Sequence, residues 1–247
     1  MSQVLGIDVG GSGIKGSIVD VEKGVFIEER IKISTPQPAT PTAMAKVVNK
    51  IIKGFDWAGK PVGIGFPSVI KNGHALTAAN IDASWIDYPI VSKWSASLKC
   101  PLNIINDADA AGLAEMRFGK GKDVKGVVIL LTLGTGIGSS IFVDGRLMPN
   151  TEFGHIQYMH RKPAEKLLSN AARENRKLGW KVYGRELNGY LQYLEFLLNP
   201  DLIIIGGGIS KKFENYSNQF TLKTPITNAA TMNDAGIIGA ALATTLI

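Results

Sequence analysis

A turn near the start of the chain combines glycines with a carboxylate, a hydroxyl and an amine. Asp8, Ser12 and Lys15 lie in the run IDVGGSGIKG, whose glycines let backbone amides approach phosphate oxygens without interference from a Cβ atom. A carboxylate such as Asp8 can hold Mg²⁺ directly or through water. We therefore expect a phosphoryl donor and Mg²⁺ here, although a tight turn alone would use the same glycines. The expected donor-binding residues of this turn are Asp8, Gly10, Gly11, Ser12, Gly13 and Lys15.

Two better-known phosphate motifs fit less well. GSGIKG (11–16) matches the dinucleotide pattern G-x-G-x-x-G, but that motif needs a helix directly after the glycines. The following residues, IKGSIVD, are β-rich and predict a strand, so the glycines are expected to close a β-hairpin. GFDWAGKP (54–61) has Pro61 where a Walker A loop needs a hydroxyl, and it follows a predicted helix.

Two further glycine-rich turns occur later in the chain. LGTGIG (133–138) repeats the first arrangement, with threonine hydroxyls as donors, and GGGIS (206–210) could pack against a base or sugar because it lacks side chains. From these turns we expect donor contacts at Thr132, Gly134, Thr135, Gly136, Gly207 and Gly208.

The elements that would position these turns follow one plan used twice. The first half is predicted to contain strands at 3–9, 14–20, 25–33, 62–66 and 102–105, with helices from Thr42 and from about residue 107. The second half begins again at Gly126, with predicted strands at 127–133, 139–145 and 201–205, a helix at 182–198 and a closing helix after Asp234. This order predicts an α/β protein with a cleft between two halves.

Composition excludes several classes of protein. A chain of 247 residues that is 45% hydrophobic can bury a sizeable core, and its apolar runs are too short to span a bilayer. With no apparent signal pattern and one cysteine, Cys100, we expect a cytoplasmic protein without a membrane partner. The net charge of +6 comes from residues 161–185, which carry eight basic and two acidic side chains. That segment could attract a polyanion, or it could be a solvated helix face.

The motifs, in this order, resemble the ROK family (repressors, open reading frames and sugar kinases) of the sugar kinase, actin and Hsp70 superfamily. The resemblance runs over nearly the whole chain, through GIDVGGSGIKGSIVD, GFPSVI, NDADAAGLAE, LTLGTGIGSSIFVDG, EFGH, NPDLIIIGGGIS and NDAGIIGAALA. It implies two ribonuclease-H-like domains flanking a cleft. We place the smaller domain at 1–108 plus the helix at 235–247, and the larger at 109–234.

The resemblance also implies which residues bind a hexose. Asp107 is implied to be the catalytic base, and the implied sugar-binding residues are Ser68, Asn80, Asn106, Asp107, Glu152, His155 and Glu165. The chemistry agrees, because a carboxylate can orient a sugar hydroxyl and accept its proton during phosphoryl transfer. From position alone, Asn106, Asp107 or Asp109 could instead serve as the N-cap of the following helix.

The chain departs from the family after the EFGH motif. Many members carry a C-x-C-G-x-x-G-C zinc site there, whereas this chain has no cysteine after Cys100, so no structural zinc is expected. The basic segment stands in its place and resembles the polyphosphate glucokinase branch. That likeness implies phosphorylation of glucose at its 6-hydroxyl by polyphosphate, with or without ATP, giving glucose 6-phosphate, and a homodimer. Beside Lys15, the polyphosphate path is expected to use Lys120, Lys122, Arg173, Arg176, Lys177 and Lys181.

Four other functions remain as alternatives. The chain could be a strictly ATP-dependent hexokinase acting on glucose, mannose or an N-acetylhexosamine, or a polyphosphate hydrolase of the same superfamily. A repressor would carry a DNA-binding module before the first hairpin, and Asp8 lies almost at the start, so no nucleic acid partner is expected. An actin-like assembly protein would not need Asp107 and the sugar-binding set.

Overall fold

The computed structural model describes residues 2–79, 81–231 and 234–245. The chain forms two compact units. Unit 1 comprises Met1–Ala114 and Asp234–Ile247, and unit 2 comprises Glu115–Asn233. Among the described residues, no helix is both long and apolar enough to cross a membrane.

Unit 1 contains a six-stranded sheet and a small separate hairpin. Its strands in chain order are β1 (Gln3–Val9), β2 (Gly13–Asp20), β3 (Val25–Phe26), β4 (Ile31–Ser34), β5 (Val62–Phe66), β6 (Ile70–Lys71), β7 (His74–Ala75) and β8 (Leu102–Asn106). The sheet order is β3-β2-β1-β5-β8, with β4 also paired to β2, and β6 pairs with β7. Strands β1, β5 and β8 are parallel, so their carboxyl ends meet at one edge.

Unit 2 repeats the plan with a five-stranded sheet. Its strands are β9 (Val127–Leu133), β10 (Ile137–Val143), β11 (Arg146–Met148), β12 (Leu202–Gly206) and β13 (Ile226–Asn228), in the order β11-β10-β9-β12-β13. Each unit therefore has an antiparallel hairpin, closed by a glycine-rich turn, with a parallel strand beside the first strand of the hairpin. The predicted α/β repeat is confirmed.

The described residues also form seven α-helices. They are α1 (Pro41–Gly54), α2 (Ile90–Leu98), α3 (Asp107–Phe118), α4 (Glu165–Leu168), α5 (Asn170–Asn175), α6 (Trp180–Leu198) and α7 (Ala235–Ala243). Helix α1 begins where the Thr40 side chain accepts a hydrogen bond from the Ala43 amide, with Pro41 in the first turn. It buries the apolar face predicted from the sequence, which is Met44, Val47, Val48, Ile51 and Ile52.

Several element predictions were wrong or incomplete, and the short strands β6 and β7 were not predicted. The strand predicted at 25–33 is two strands, because β3 pairs with the far end of β2 and β4 with its near end. The charged run at 28–30 lies in the break between them. Helix α2 was missed although Ile90, Trp94 and Leu98 recur at helical spacing and are buried. Strand β13 was also missed; it has three residues and lies at the sheet edge.

Helix α7 packs unusually close to the sheet of unit 1 and to α3. A Cβ atom at Gly6 or Gly63 would overlap the backbone carbonyls of Ile237 or Ala240 on α7. A Cβ atom at Gly239 would overlap the carbonyl of Ala110 on α3. The glycines therefore allow backbone to approach backbone, and the carbonyl groups cannot move aside as flexible side chains would.

We expect Gly63→Ala to destabilise unit 1 by about 3 kcal/mol or more, because the methyl group must displace α7 or distort β5. Thermal unfolding of the variant measures the loss. Gly179→Ala is the matched control, since a Cβ atom at Gly179 meets no atom within 4 Å. Equal midpoint temperatures of unfolding for the two variants would contradict the inference that α7 packs too closely on β5 to admit a methyl group.

Candidate active site

Asp8 and Lys15 face each other across the first hairpin. They are direct partners in the β1–β2 register, and the Lys15 Nζ lies 3.4 Å from the Asp8 Oδ2. The Asp8 side chain is only 19% exposed. Burial raises the pKa of the Asp8 carboxyl above its ordinary value, and the Lys15 charge opposes that rise. This arrangement leaves a desolvated carboxylate that a cation would stabilise.

The turn that joins the two strands is open and held from one side. Gly11 and Ser12 are exposed, and a Cβ atom at Gly11 would meet no atom within 4 Å. The Gly10 amide donates to the Gly13 carbonyl at 3.1 Å, and the Thr35 hydroxyl donates to the Gly10 carbonyl at 2.5 Å. Gly10, Gly11, Ser12 and Gly13 thus form the hairpin turn that the sequence predicted, and Thr35 fixes its position.

Asp107 is the first residue of α3 and follows directly from β8. The capping role belongs to its neighbour: the Asn106 Oδ1 accepts the Ala108 and Asp109 amides at 2.9 and 3.1 Å. The Asp107 Oδ1 also accepts the Ala108 amide, at 2.9 Å. Of the three candidate residues, Asn106 therefore caps α3, and Asp107 is held at the carboxyl end of the partly buried strand β8.

Asp8 and Asp107 lie at the same edge of the same sheet. Asp8 pairs with Gly65 on β5, and Gly65 pairs with Ile105 on β8, so the two outer strands are about 10 Å apart. A Cβ atom at Gly65 would lie 3.6 Å from the Asp107 Cα, and one at Gly236 would lie 2.8 Å from the Asp8 carboxyl carbon. The glycine at 65 leaves room for the start of α3, and the glycine at 236 leaves room for the Asp8 carboxylate beside the start of α7.

Ser68 is buried, and its hydroxyl already has protein partners. The Ser68 Oγ donates to the Thr77 carbonyl at 2.8 Å and accepts the Thr77 amide at 3.1 Å. The Ser68 carbonyl accepts the Asn106 Nδ2 at 3.2 Å. Two of the predicted sugar-binding side chains are therefore engaged in holding this edge of unit 1. Asn80, also predicted to bind the sugar, lies outside the described residues.

In unit 2 the two glycine-rich turns lie side by side. Strand β12 is parallel to β9, with Gly206 opposite Thr132, and a Cβ atom at Gly207 would lie 2.7 Å from the Leu133 backbone. Gly207 has φ +79°, a conformation that favours glycine. Gly208 is exposed and a Cβ atom there would meet nothing within 4 Å. The β9–β10 turn is closed by the Gly134 amide, which donates to the Gly136 carbonyl, and Thr135 is exposed beside it.

Glu152, His155 and Glu165 form a second polar group in unit 2. The His155 Nε2 lies 3.5 Å from the Glu152 Oε2. Burial raises the pKa of the Glu152 carboxyl, the His155 charge opposes this, and the Glu165 carboxylate adds to it. The segment 151–153, which carries Glu152, is fixed to β10, because the Ser139 hydroxyl donates to the Thr151 carbonyl and accepts a hydrogen bond from the Phe153 amide. The three predicted residues are thus brought together next to the β9–β10 turn.

The basic segment also lies against that turn. The Ala171 amide of α5 donates to the Gly134 carbonyl at 3.1 Å, so α5 begins at the predicted donor site. Its arginines have internal partners. The Arg173 guanidinium stacks 4.1 Å from the Trp180 ring and bonds Asn170 and Glu174. Arg176 makes a two-bond ion pair with Glu186, at 2.7 and 2.9 Å.

The lysines of the predicted polyphosphate path differ from its arginines in their ion pairing. Lys120, Lys122, Lys177 and Lys181 are exposed and form no ion pair with any residue in the described ranges. An unneutralised ammonium is available to a polyanion, whereas a paired guanidinium must first give up its partner. Of the predicted path residues, the lysines fit the role better.

Asp8 is a suitable anchor for a hydrated cation but not a complete metal cage. Mg²⁺ commonly takes one or two carboxylates, several waters and substrate phosphates, which suits a single carboxylate beside an open phosphate-binding turn. Across the described residues there is no group of three His, Cys, Asp or Glu side chains that could hold a metal ion. Cys100 is buried in unit 1.

Several residues of this site were not predicted from the sequence. Thr35, Thr77 and Gly65 lie outside the glycine-rich turns, and their roles depend on contacts with residues distant in the chain. Gly65 lies in the GFPSVI motif and Gly236 in the NDAGIIG motif, which carried the family resemblance but assigned no role to these glycines. Thr35 and Thr77 lie outside the quoted motifs and offered no signal.

Comparison with known proteins gives three consistent results. A model of the ROK family matches residues 4–165. A polyphosphate glucokinase of Mycobacterium tuberculosis is 46% identical over 239 residues, covering 96% of this chain and 89% of that protein. The crystal structure of inorganic polyphosphate/ATP-glucomannokinase from Arthrobacter sp. strain KM has a TM-score of 0.95 and 46% identity, covering 100% of this chain and 99% of the other.

A more distant structure agrees in fold. A ROK family glucokinase from Streptomyces griseus, in complex with glucose and AMPPNP, has a TM-score of 0.83 at 24% identity, over 97% of this chain and 98% of that one. At this identity the match supports the fold alone. The two matches at 46% identity carry the argument on activity.

Proposed function

The chain belongs to the ROK family, and from that premise we propose that it transfers a phosphoryl group from inorganic polyphosphate, or from ATP, to the 6-hydroxyl of glucose. The observation that supports this most directly is the placement of Asp107. It stands at the carboxyl end of β8, at the start of a helix that Asn106 caps, and beside the Asp8–Lys15 hairpin. Active sites of open α/β sheets collect at that edge.

Asp107 is proposed to act as the base. Its carboxylate accepts the proton of the 6-hydroxyl while that oxygen bonds to the terminal phosphorus of the donor. The bond between that phosphorus and its bridging oxygen breaks, and the electron pair stays on the leaving phosphate. The products are glucose 6-phosphate and a polyphosphate shortened by one unit, or ADP.

The other residues of unit 1 are proposed to hold the donor. The Gly11 and Gly13 amides, with the Ser12 hydroxyl and the Lys15 ammonium, suit phosphate oxygens, whereas the Gly10 amide closes the turn by donating to the Gly13 carbonyl. Transfer between phosphates and alcohols needs a divalent cation, and we propose Mg²⁺ at Asp8. When bound, it would neutralise charge on the phosphoryl group. The buried Asp8 carboxylate with a single lysine beside it supports that assignment.

Unit 2 is proposed to supply the remaining contacts. Glu152, His155 and Glu165 offer the mixed donors and acceptors that sugar hydroxyls require. Thr132, Gly134, Thr135, Gly136, Gly207 and Gly208 are proposed to contact the donor, and Lys177 and Lys181 to guide a polyphosphate chain. The contact between Ala171 and Gly134 supports that path, because it joins the basic segment to the donor turn. The cytoplasmic location and the homodimer stay predictions.

Glucose 6-phosphate should form when the protein is incubated with glucose, Mg²⁺ and polyphosphate, and the Asp107→Asn variant should lose about 10²- to 10⁴-fold in kcat. The amide keeps the shape of the side chain but cannot accept the proton. We expect glucose binding, measured by calorimetry, to survive. Asp56→Asn is the control, since Asp56 is exposed in the same unit and has φ +47°, which asparagine tolerates.

Each alternative activity gives a different result in the same assay. Product from ATP alone would make the protein an ATP-dependent hexokinase, and release of phosphate from polyphosphate without sugar would make it a hydrolase. Near-normal turnover by Asp107→Asn, with the control also active, would remove Asp107 from the role of base.

Replacing the two free lysines tests the polymer path. In Lys177→Gln/Lys181→Gln, the KM for long-chain polyphosphate should rise several-fold and depend less steeply on salt, while the KM for glucose stays the same. Lys46→Gln/Lys50→Gln removes the same charge from exposed positions on α1 and serves as the control. Equal changes in both double variants would show that only net charge matters, and would contradict the path.

A further inference from the structure

Residues 67–77 of unit 1 fold back on themselves through two side chains. The Thr77 amide donates to the Ser68 Oγ at 3.1 Å, and the Val69 amide donates to the Thr77 Oγ1 at 3.0 Å. The Ser68 hydroxyl in turn donates to the Thr77 carbonyl at 2.8 Å. We call this reciprocal set the Ser68–Thr77 clasp. It joins the residues just after β5 to those just after β7, so it fixes both ends of the loop.

The clasp is connected to the first turn of α3 through one buried amide. The Asn106 Nδ2 donates to the Ser68 carbonyl at 3.2 Å, while its Oδ1 accepts the Ala108 and Asp109 amides. Ser68 is 3% exposed and Asn106 7% exposed, so water cannot readily replace these partners. Asp107 stands between Asn106 and Ala108, both of which take part in the network.

The start of the loop is independently held by apolar packing. Phe66, the last residue of β5, is fully buried, and its ring lies 4.5 Å from the Trp85 ring and 6.0 Å from the Trp94 ring. This cluster fixes the backbone up to residue 66. The clasp extends that order to Ser68, whose carbonyl orients the Asn106 amide. A displaced Ser68 carbonyl would leave the Asn106 amide without its described partner, and the amide could then rotate away from α3.

From these contacts we propose that Thr77 is a positioning residue for the base Asp107, acting through Ser68 and Asn106. The inference rests on the proposed function, because it assumes that Asp107 accepts the proton. A base must be held within a few tenths of an ångström of its working position, and one lost hydrogen bond in a buried network can release it. Ser68 then serves to fasten the loop, since its one proton is directed at protein oxygens.

The sequence adds a second expected effect. Thr77 precedes Asn80 by three residues, and the family resemblance implies that Asn80 binds the sugar. A loosened clasp should therefore weaken the binding of glucose as well as slow phosphoryl transfer. The donor-binding hairpin is held separately, by Thr35, so the binding of the phosphoryl donor should not change.

Thr77→Val is the direct test, since it removes the hydroxyl and keeps the branched shape. We expect kcat to fall about 10-fold and the KM for glucose to rise several-fold, with the KM for polyphosphate unchanged. Thr77→Ser restores the hydroxyl and should recover both constants. Thr42→Val is the control, because Thr42 is exposed on α1. Activities are expressed per mole of folded protein, measured by near-ultraviolet circular dichroism.

Amide hydrogen exchange of the peptide 106–118 gives a readout that does not depend on activity. Faster exchange in Thr77→Val than in the wild type and Thr77→Ser would support the proposal. Unchanged kcat and unchanged exchange would overturn it, as would equal damage in Thr77→Val and Thr77→Ser. Should Val at 77 prevent folding, Thr77→Ala is measured in the same way and judged by the same outcomes.

The outcomes also separate this inference from the proposed function. A wild-type protein that forms no glucose 6-phosphate with any donor would defeat the proposed function, while the exchange measurement would still decide whether the clasp orders α3. An active wild type with an unaffected Thr77→Val variant would defeat only the clasp.

Discussion

The close backbone packing of α7 in unit 1 is the constraint on which the proposed site depends. Gly6 and Gly63 bring the sheet against the carbonyls of α7, and Gly239 brings α7 against α3. With that contact made, the amino-terminal end of α7 lies at Asp8 and that of α3 at the end of β8. Helix amino termini carry partial positive charge, which favours the two carboxylates and an incoming phosphate. Larger residues at these glycines would push apart the elements that carry the chemistry.

Each polar group of the site has a structural residue that holds it in place. Thr35 fixes the first glycine-rich turn, Asn106 caps α3 beside Asp107, and Ser139 fixes the turn that carries Glu152. The Thr35 and Ser139 bonds connect residues 25 and 14 positions apart, and Asn106, which caps α3 locally, is itself bonded to Ser68, 38 positions earlier. The orientation of each reacting group therefore depends on contacts that form only when the unit folds.

Much of this could be predicted from the sequence, and the failures have physical causes. Period-two and period-3.6 patterns located the two hairpins and the buried face of α1, because those patterns report which face meets the core. Sequence could not decide among Asn106, Asp107 and Asp109 as the cap of α3, since all three residue types suit that role. It also could not separate Arg176 from Lys177, because Arg176 pairs with Glu186, ten positions later, and this contact depends on how the end of α5 packs against α6. Thr77 gave no signal, because its bonds depend on how the loop closes.

The most direct test of the account is a crystal structure with glucose and a non-transferable phosphoryl donor bound. The decisive quantity is the distance between the Asp107 carboxylate and the 6-hydroxyl oxygen of glucose. The account predicts about 2.6–3.2 Å, the reach of a general base, with the donor phosphate at the Asp8–Lys15 hairpin. A 6-hydroxyl that instead contacts another carboxylate, with Asp107 more than about 5 Å away, would contradict it.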